Sequence, residues 1–182
     1  MKIITDLKAI EILAEEREDE NMEFRAFLKQ ITMKDEEVDE IVHRIYDEVI
    51  KQIDCTQCGN CCKELGTLVS EKDIKRLAKG MGITQEECIR KYCGKIEGKE
   101  PDYELTGPPC PFLRDNKCVY YEYRPKECWS YPHLHKKEFT TRLFGVVSNY
   151  AVCPIVFNVY EQLKKELWHK SMLFDEFMFL DE

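Results

Sequence analysis

The chain has 182 residues, a formal net charge of -8 and ten cysteines. Such a length can enclose a core of its own, so the cysteines are not needed as staples for a very small domain. Charged residues make up 34% with acid in excess, which argues against broad phosphate-backbone binding and leaves at most a small local basic patch.

The amino-terminal stretch MKIITDLKAIEILAEERE does not read as an export signal, because Asp6, Lys8 and Glu11 interrupt any apolar run. No segment has the length and apolarity of a membrane span. The expected location is a reducing cytoplasm, where clustered cysteines more often bind metal or do redox chemistry than form a disulfide framework.

Taken in chain order, residues 1–53 contain no cysteine and read as a helical segment. Phe24, Phe27, Leu28 and Ile31 recur at helical spacing, as do Val38, Ile41, Val42, Ile45 and Val49. Acidic residues lead the second of these stripes, which suits the positive end of a helix dipole. Both stripes are expected to pack within the domain.

Residues 54–154 hold all ten cysteines, and six of the seven prolines fall within 101–132, so this cysteine-cluster domain is expected to be rich in loops. Two short helices remain legible in it. SEKDIKRLAKGMG has Ser70 as N-cap with Asp73 three residues on, and TQEECIRKYCG has Thr84 followed by Glu87. The pair mimics a DNA-reading helix-turn-helix, but the acidic charge opposes that reading and no nucleic acid is expected. KCVYYEY and FTTRLFGVVSNYAV are rich in β-branched and aromatic residues and are expected to be strands. Residues 155–182 return to a helical pattern, with Val156, Val159, Tyr160, Leu163 and Leu167, and end in the apolar tail MLFDEFMFLDE, expected to pack on the amino-terminal helices. The fold class is thus mainly α, with irregular metal-binding loops and a short β element.

The first cysteine run is Cys55, Cys58, Cys61 and Cys62; the second is Cys110, Cys118 and Cys128; Cys153 stands alone before Pro154. Two-residue spacing lets one tight loop aim successive thiolates at one centre, and Gly59 gives that loop its freedom. Three thiolates at this spacing suit corners of an iron–sulfur cubane, with Cys153 before Pro154 as a further ligand. Zinc in a tetrahedron of thiolates competes for the same donors. Adjacent side chains diverge, so Cys61 completes the first group while Cys62 points to a second, with Cys110, Cys118 and Cys128. One or two centres fit the spacing, and a single site with spare structural cysteines is the main rival. Cys88 and Cys93 read as packed small hydrophobes.

These motifs, CTQCGNCC, CPFL, CVYYEYRPKECWSYP and CP, resemble the YkgJ-type cysteine-cluster family, described as zinc- or iron-chelating, over about Cys55 to Pro154. The resemblance implies chelation by Cys55, Cys58, Cys61, Cys62, Cys110, Cys118 and Cys128, with Cys153 as a further candidate. It implies no established reaction. Flagellin lysine methylases carry a related cysteine pattern, which keeps a metal-dependent enzyme such as a methyltransferase among the alternatives. Two readings therefore stand beside iron–sulfur or zinc binding with a redox or cluster-dependent role. One is a zinc-stapled module whose helices bind a protein partner. The other is an enzyme using His133 or His135 as acid and base. The partner, protein or small molecule, is not legible, and no membrane is involved. Arg124 is a candidate for offsetting the negative charge of a thiolate centre.

Overall fold

The computed structural model describes residues 3–98 and 103–168. In chain order the helices are α1 (Leu7–Glu16), α2 (Glu18–Gln30), α3 (Asp35–Ile50), α4 (Cys55–Cys58) and α5 (Asn60–Glu64). They continue with α6 (Glu71–Met81), α7 (Gln85–Tyr92), α8 (Lys126–Ser130), α9 (Leu143–Ser148) and α10 (Pro154–Leu163). The strands are β1 (Leu68–Val69), β2 (Cys93–Lys95), β3 (Tyr103–Leu105), β4 (Leu113–Arg114) and β5 (Lys117–Cys118). The fold is mainly α with short antiparallel strands, as expected. No helix among the described residues is long and apolar enough to cross a membrane. The described residues form two compact units, one made of those up to Ile53 together with those from Pro132 to Trp168, the other of those between Asp54 and Tyr131.

In the helical unit, α1 begins at Asp6, whose carboxylate accepts the Ala9 N–H at 2.7 Å. Glu18, Asp19 and Glu20 open α2, and Asp35, Glu36 and Glu37 open α3, all at the positive dipole end. The stripe of α3 buries Val38, Val42, Ile45 and Val49, and α10 packs along it. Helix α10 itself is apolar nearly all round. Its one early polar residue, Asn158, donates to the Ile4 carbonyl at 2.7 Å and accepts the Ile4 N–H at 3.0 Å. Lys164, just past α10, is almost wholly buried, with Nζ 2.9 Å from Glu161 and 3.1 Å from Glu20. Two carboxylates thus face the buried Lys164 side chain.

Two sequence expectations change here. FTTRLFGVVSNYAV is not a strand: Phe139–Arg142 form a 3-10 turn that runs into α9. The reason is visible in its burial, since Phe139, Leu143, Val146 and Tyr150 form one buried face at helical spacing. The buried Asp39 carboxylate fixes the start of this turn, accepting the N–H groups of Glu138 at 2.7 Å and Phe139 at 2.9 Å. These contacts place residues 132–154 in the helical unit, so the cysteine unit ends at Tyr131 and not at 154. The tail MLFDEFMFLDE lies outside the described residues.

In the cysteine unit, α6 starts at the Ser70–Asp73 capping box and stops at Gly82, and Thr84 caps α7 by accepting the Glu87 N–H at 3.2 Å. The two helices pack on each other. A three-stranded antiparallel sheet runs in the order β1-β3-β2, and β4 pairs with β5 in a separate hairpin. The core contains Val69, Ile74, Leu77, Leu105 and Phe112. Each such side chain contributes roughly 1.5–3 kcal/mol when fully buried. Only Lys117–Cys118 of KCVYYEY is a strand. The chain then turns into a 3-10 segment at Tyr121–Tyr123, leaving Val119 and Tyr121 well exposed.

Candidate metal centre

The first cysteine run folds as two single turns, α4 and α5, on either side of Gly59. Asp54 opens the first by accepting the Thr56 N–H at 2.9 Å and the Thr56 hydroxyl at 2.6 Å. Gly59 has φ of +63°, and a Cβ there would lie 2.8 Å from the Asn116 carbonyl oxygen. The glycine thus serves both the left-handed turn and a close approach to the β4–β5 hairpin. At the tip of that hairpin Asp115 and Asn116 take φ of 47° and 62°, the left-handed conformations of a tight hairpin turn.

The second run comes to Cys62. The Cys110 N–H donates to the Cys62 carbonyl at 2.7 Å. Cys118 lies in register with Leu113 across the hairpin, and Leu113 N–H donates to the Cys110 carbonyl at 3.1 Å. Cys128 sits in the first turn and a half of α8, with its sulfur 3.9 Å from the Thr67 hydroxyl oxygen. The charge of Cys62 raises the proton affinity of Cys110, Cys118 and Cys128, and Cys110 and Cys118 add to that of Cys128. The sulfurs of Cys110 and Cys118 each accept an N–H from two residues further on, Phe112 and Tyr120. Such amide donors stabilise a thiolate and orient it.

Burial dominates the protonation of this group. It pushes Cys110 up to about 11 and Cys128 up to about 12, with the neighbouring cysteines adding to both. Burial also raises Cys118, against the N–H of Tyr120 and the positive charge of Arg124. Cys62 goes the other way: a hydrogen bond from the Cys61 thiol lowers it to about 7. Cys55 is raised by burial and by the charge of Cys58. Cys110, Cys118 and Cys128 therefore favour a bound proton, or a cation in its place, where they sit, whereas Cys62 gives up its proton more readily.

The remaining candidates fall elsewhere. Cys88 and Cys93 share a hydrogen bond, and burial drives Cys93 to about 12. Cys88 is fully buried in the core, consistent with a packed small residue. Cys153 lies in the helical unit, buried at the N-cap of α10. His133 and His135 are on an irregular turn of that unit, with His133 at φ of 64°, so strand alternation does not put them on one face. His135 is shifted down by burial and sits beside the Tyr46 ring at 6.3 Å. Arg124 is held between two rings, 3.6 Å from the centre of Tyr121 and 3.9 Å from that of Trp129. It acts on Cys118 through its charge.

Thr67 and the Asp73–Arg76 pair escape the sequence reading. Asp73 appears there only as part of a helix cap. Its further bond, accepting the Lys126 N–H at 2.9 Å, joins residues too far apart for any spacing rule to connect.

As they stand, no three or more His, Cys, Asp or Glu side chains among the described residues are gathered so as to hold a metal ion. The donor chemistry nonetheless suits zinc or iron. Four half-buried thiols from four segments lie near one another, with amide donors on the sulfurs of Cys110 and Cys118 and the Arg124 charge acting on Cys118 as well. This is the chemistry of a thiolate metal-binding protein. Residues 54–144, half of the chain, match the CxxCxxCC family, whose description is "Putative zinc- or iron-chelating domain", and the chain belongs to that family. A stretch of 81 residues is 30% identical to "Uncharacterized protein MJ0661" of Methanocaldococcus jannaschii, covering 43% of this chain and 43% of that protein. The match therefore spans less than half the relative's length. No solved structure matches the chain significantly.

Proposed function

We propose that this protein chelates iron or zinc through the thiolates of its cysteine unit, in two groups. Cys62, Cys110, Cys118 and Cys128 form one, a closed four-thiolate set. Cys55, Cys58 and Cys61 form the core of the other, with the spacing that suits an iron–sulfur cluster. The observation that carries the reading is the Cys62–Cys110 backbone contact, which brings the first cysteine run beside the second. Cysteine reaches its sulfur through a single torsion, so a rotamer change moves the sulfur without moving the backbone. Bound metal would supply a cross-link among these segments and neutralise charge that burial now opposes. Ten thiols suit a reducing compartment, and we place the protein in the cytoplasm.

Anaerobic purification followed by metal and acid-labile sulfide analysis tests this. A brown protein with iron and sulfide assigns a cluster to the first group and a redox role becomes testable by its potential. A colourless protein with zinc makes both groups structural. Protein that neither retains nor takes up either metal overturns the reading.

A further inference from the structure

We infer that Asp73 is a positioning residue for the thiolate centre, fixing the backbone from which Cys128 is presented. The inference rests on the chelation proposed above. Asp73 is only 5% exposed, and both its oxygens are fully engaged by donors. Oδ2 accepts the Ser70 N–H at 3.0 Å and the Ser70 hydroxyl at 2.6 Å. Oδ1 accepts Arg76 Nη2 at 2.6 Å and the Lys126 N–H at 2.9 Å. The first pair is what a helix cap needs. The second pair is not: it reaches to the start of α8, 53 positions along the chain.

The same ion pair holds the chain on both sides of Pro125. Arg76 Nη2 also donates to the Arg124 carbonyl at 2.7 Å, while Asp73 takes the Lys126 N–H. Pro125 has no N–H of its own to anchor it, and α8, with five residues, is too short to hold its own direction. Its orientation therefore depends on Asp73 and Arg76, together with β1, on which it packs. Cys128 follows two residues after the clamped peptide, with Thr67 at its sulfur. The Arg124 side chain, stacked between Tyr121 and Trp129, leaves from the same clamped segment. One buried carboxylate thus fixes the backbone that carries both a thiol and the nearby positive charge.

Asparagine has nearly the same shape as aspartate but only one acceptor oxygen, and its NH2 group would face donors. The full chain, stripped of metal and titrated anaerobically with Co(II), gives a thiolate-to-cobalt charge-transfer band and ligand-field bands that report the coordination set. Asp73→Asn is expected to weaken cobalt binding by roughly 10–100-fold, as loss of outer partners does at metal sites. It should also remove the part of the spectrum that Cys128→Ser removes. Ser70→Ala, which loses the cap hydroxyl alone, should lower the melting temperature and keep the wild-type affinity and spectrum. Should Asp73→Asn fail to fold, Arg76→Lys keeps the charge but not the two-point grip, and is expected to give the same spectral loss. Wild-type affinity and spectrum in Asp73→Asn, or an equal loss in Ser70→Ala, would overturn the inference. A wild-type chain without any charge-transfer band would overturn chelation itself, and this inference with it.

Discussion

The Cys110 N–H donates to the Cys62 carbonyl at 2.7 Å, so the backbone of the adjacent cysteine pair is tied to the second cysteine run at Cys62. Cys61 instead spends its thiol on a hydrogen bond to Cys62. The two neighbours thus have different surroundings, which separates their expected effects. Cys62→Ser should lower metal content to the same extent as Cys110→Ser, Cys118→Ser or Cys128→Ser, because all four remove one donor from one set. Cys58→Ser and Cys61→Ser should leave that centre loaded. Metal stoichiometry by elemental analysis of each variant is the readout. A double variant, Cys58→Ser with Cys62→Ser, that loses no more metal than either single variant would merge the two groups into one.

Metal removal should act on one unit. Apparent binding energies of structural zinc sites reach about 10–16 kcal/mol near neutral pH, so stripping the ion is expected to unfold or loosen Asp54–Tyr131. Hydrogen exchange with and without chelator should show lost protection in that stretch, while α1–α3, α9 and α10 keep theirs. Unchanged exchange across the cysteine unit would contradict a metal contribution to its stability.

The metal-free protein should have a pH signature of its own. Cys62, lowered from 9.0 to about 7, contributes stability that is present above pH 9 and lost as pH falls through 7. Cys110 and Cys128 have the opposite sign. Raised from 9.0 to about 11 and about 12, they contribute stability present below pH 9 and lost as pH rises toward those values. Alkylation at neutral pH followed by peptide mapping should mark Cys62 well ahead of Cys110 and Cys128, and thermal melts should fall on the alkaline side of pH 9. Faster labelling of Cys128 than of Cys62 would reverse the assignment.

Gly59→Ala tests the contact between the first loop and the hairpin. A non-glycine residue held at positive φ costs on the order of 1–3 kcal/mol, and here the new Cβ would also meet the Asn116 oxygen at 2.8 Å. Lower melting temperature and weaker metal retention are expected together. Gly82→Ala is the control, since a Cβ at Gly82 meets nothing within 4 Å: it carries the backbone strain without the clash and should retain metal better.

Phe24→Ala probes the other unit. Phe24 is fully buried, with its ring 5.1 Å from Tyr160 and 5.5 Å from Trp168. Truncation should cost about 3–5 kcal/mol, measured by denaturant unfolding. Metal content per folded molecule should stay at the wild-type value.

What the sequence made legible follows physical range. The caps at Ser70 and Thr84 are local and were readable, as was the buried stripe of α3. FTTRLFGVVSNYAV misled through its β-branched composition, which hid a helical period in Phe139, Leu143, Val146 and Tyr150. The deciding contact, the Asp39 carboxylate at the turn's start, comes from α3 about 100 positions away. The Asp73 bond to Lys126 was hidden for the same reason. Cys153 shows the converse case. A cysteine before a proline suits a ligand and equally suits the N-cap of α10, and motif reading has no access to which unit the residue joins.

The stretch Asp54–Tyr131 is continuous, whereas the helical unit is interrupted by it and resumes only at Pro132. Synthesis therefore delivers every residue of the cysteine unit before α10 exists to cover the buried stripe of α3. During translation the middle of the protein can close around its ion while α1–α3 still wait for their last partner. A nascent chain starved of metal would present an open, thiol-rich segment and an uncovered apolar helix face at once, the combination that chaperones and proteases recognise.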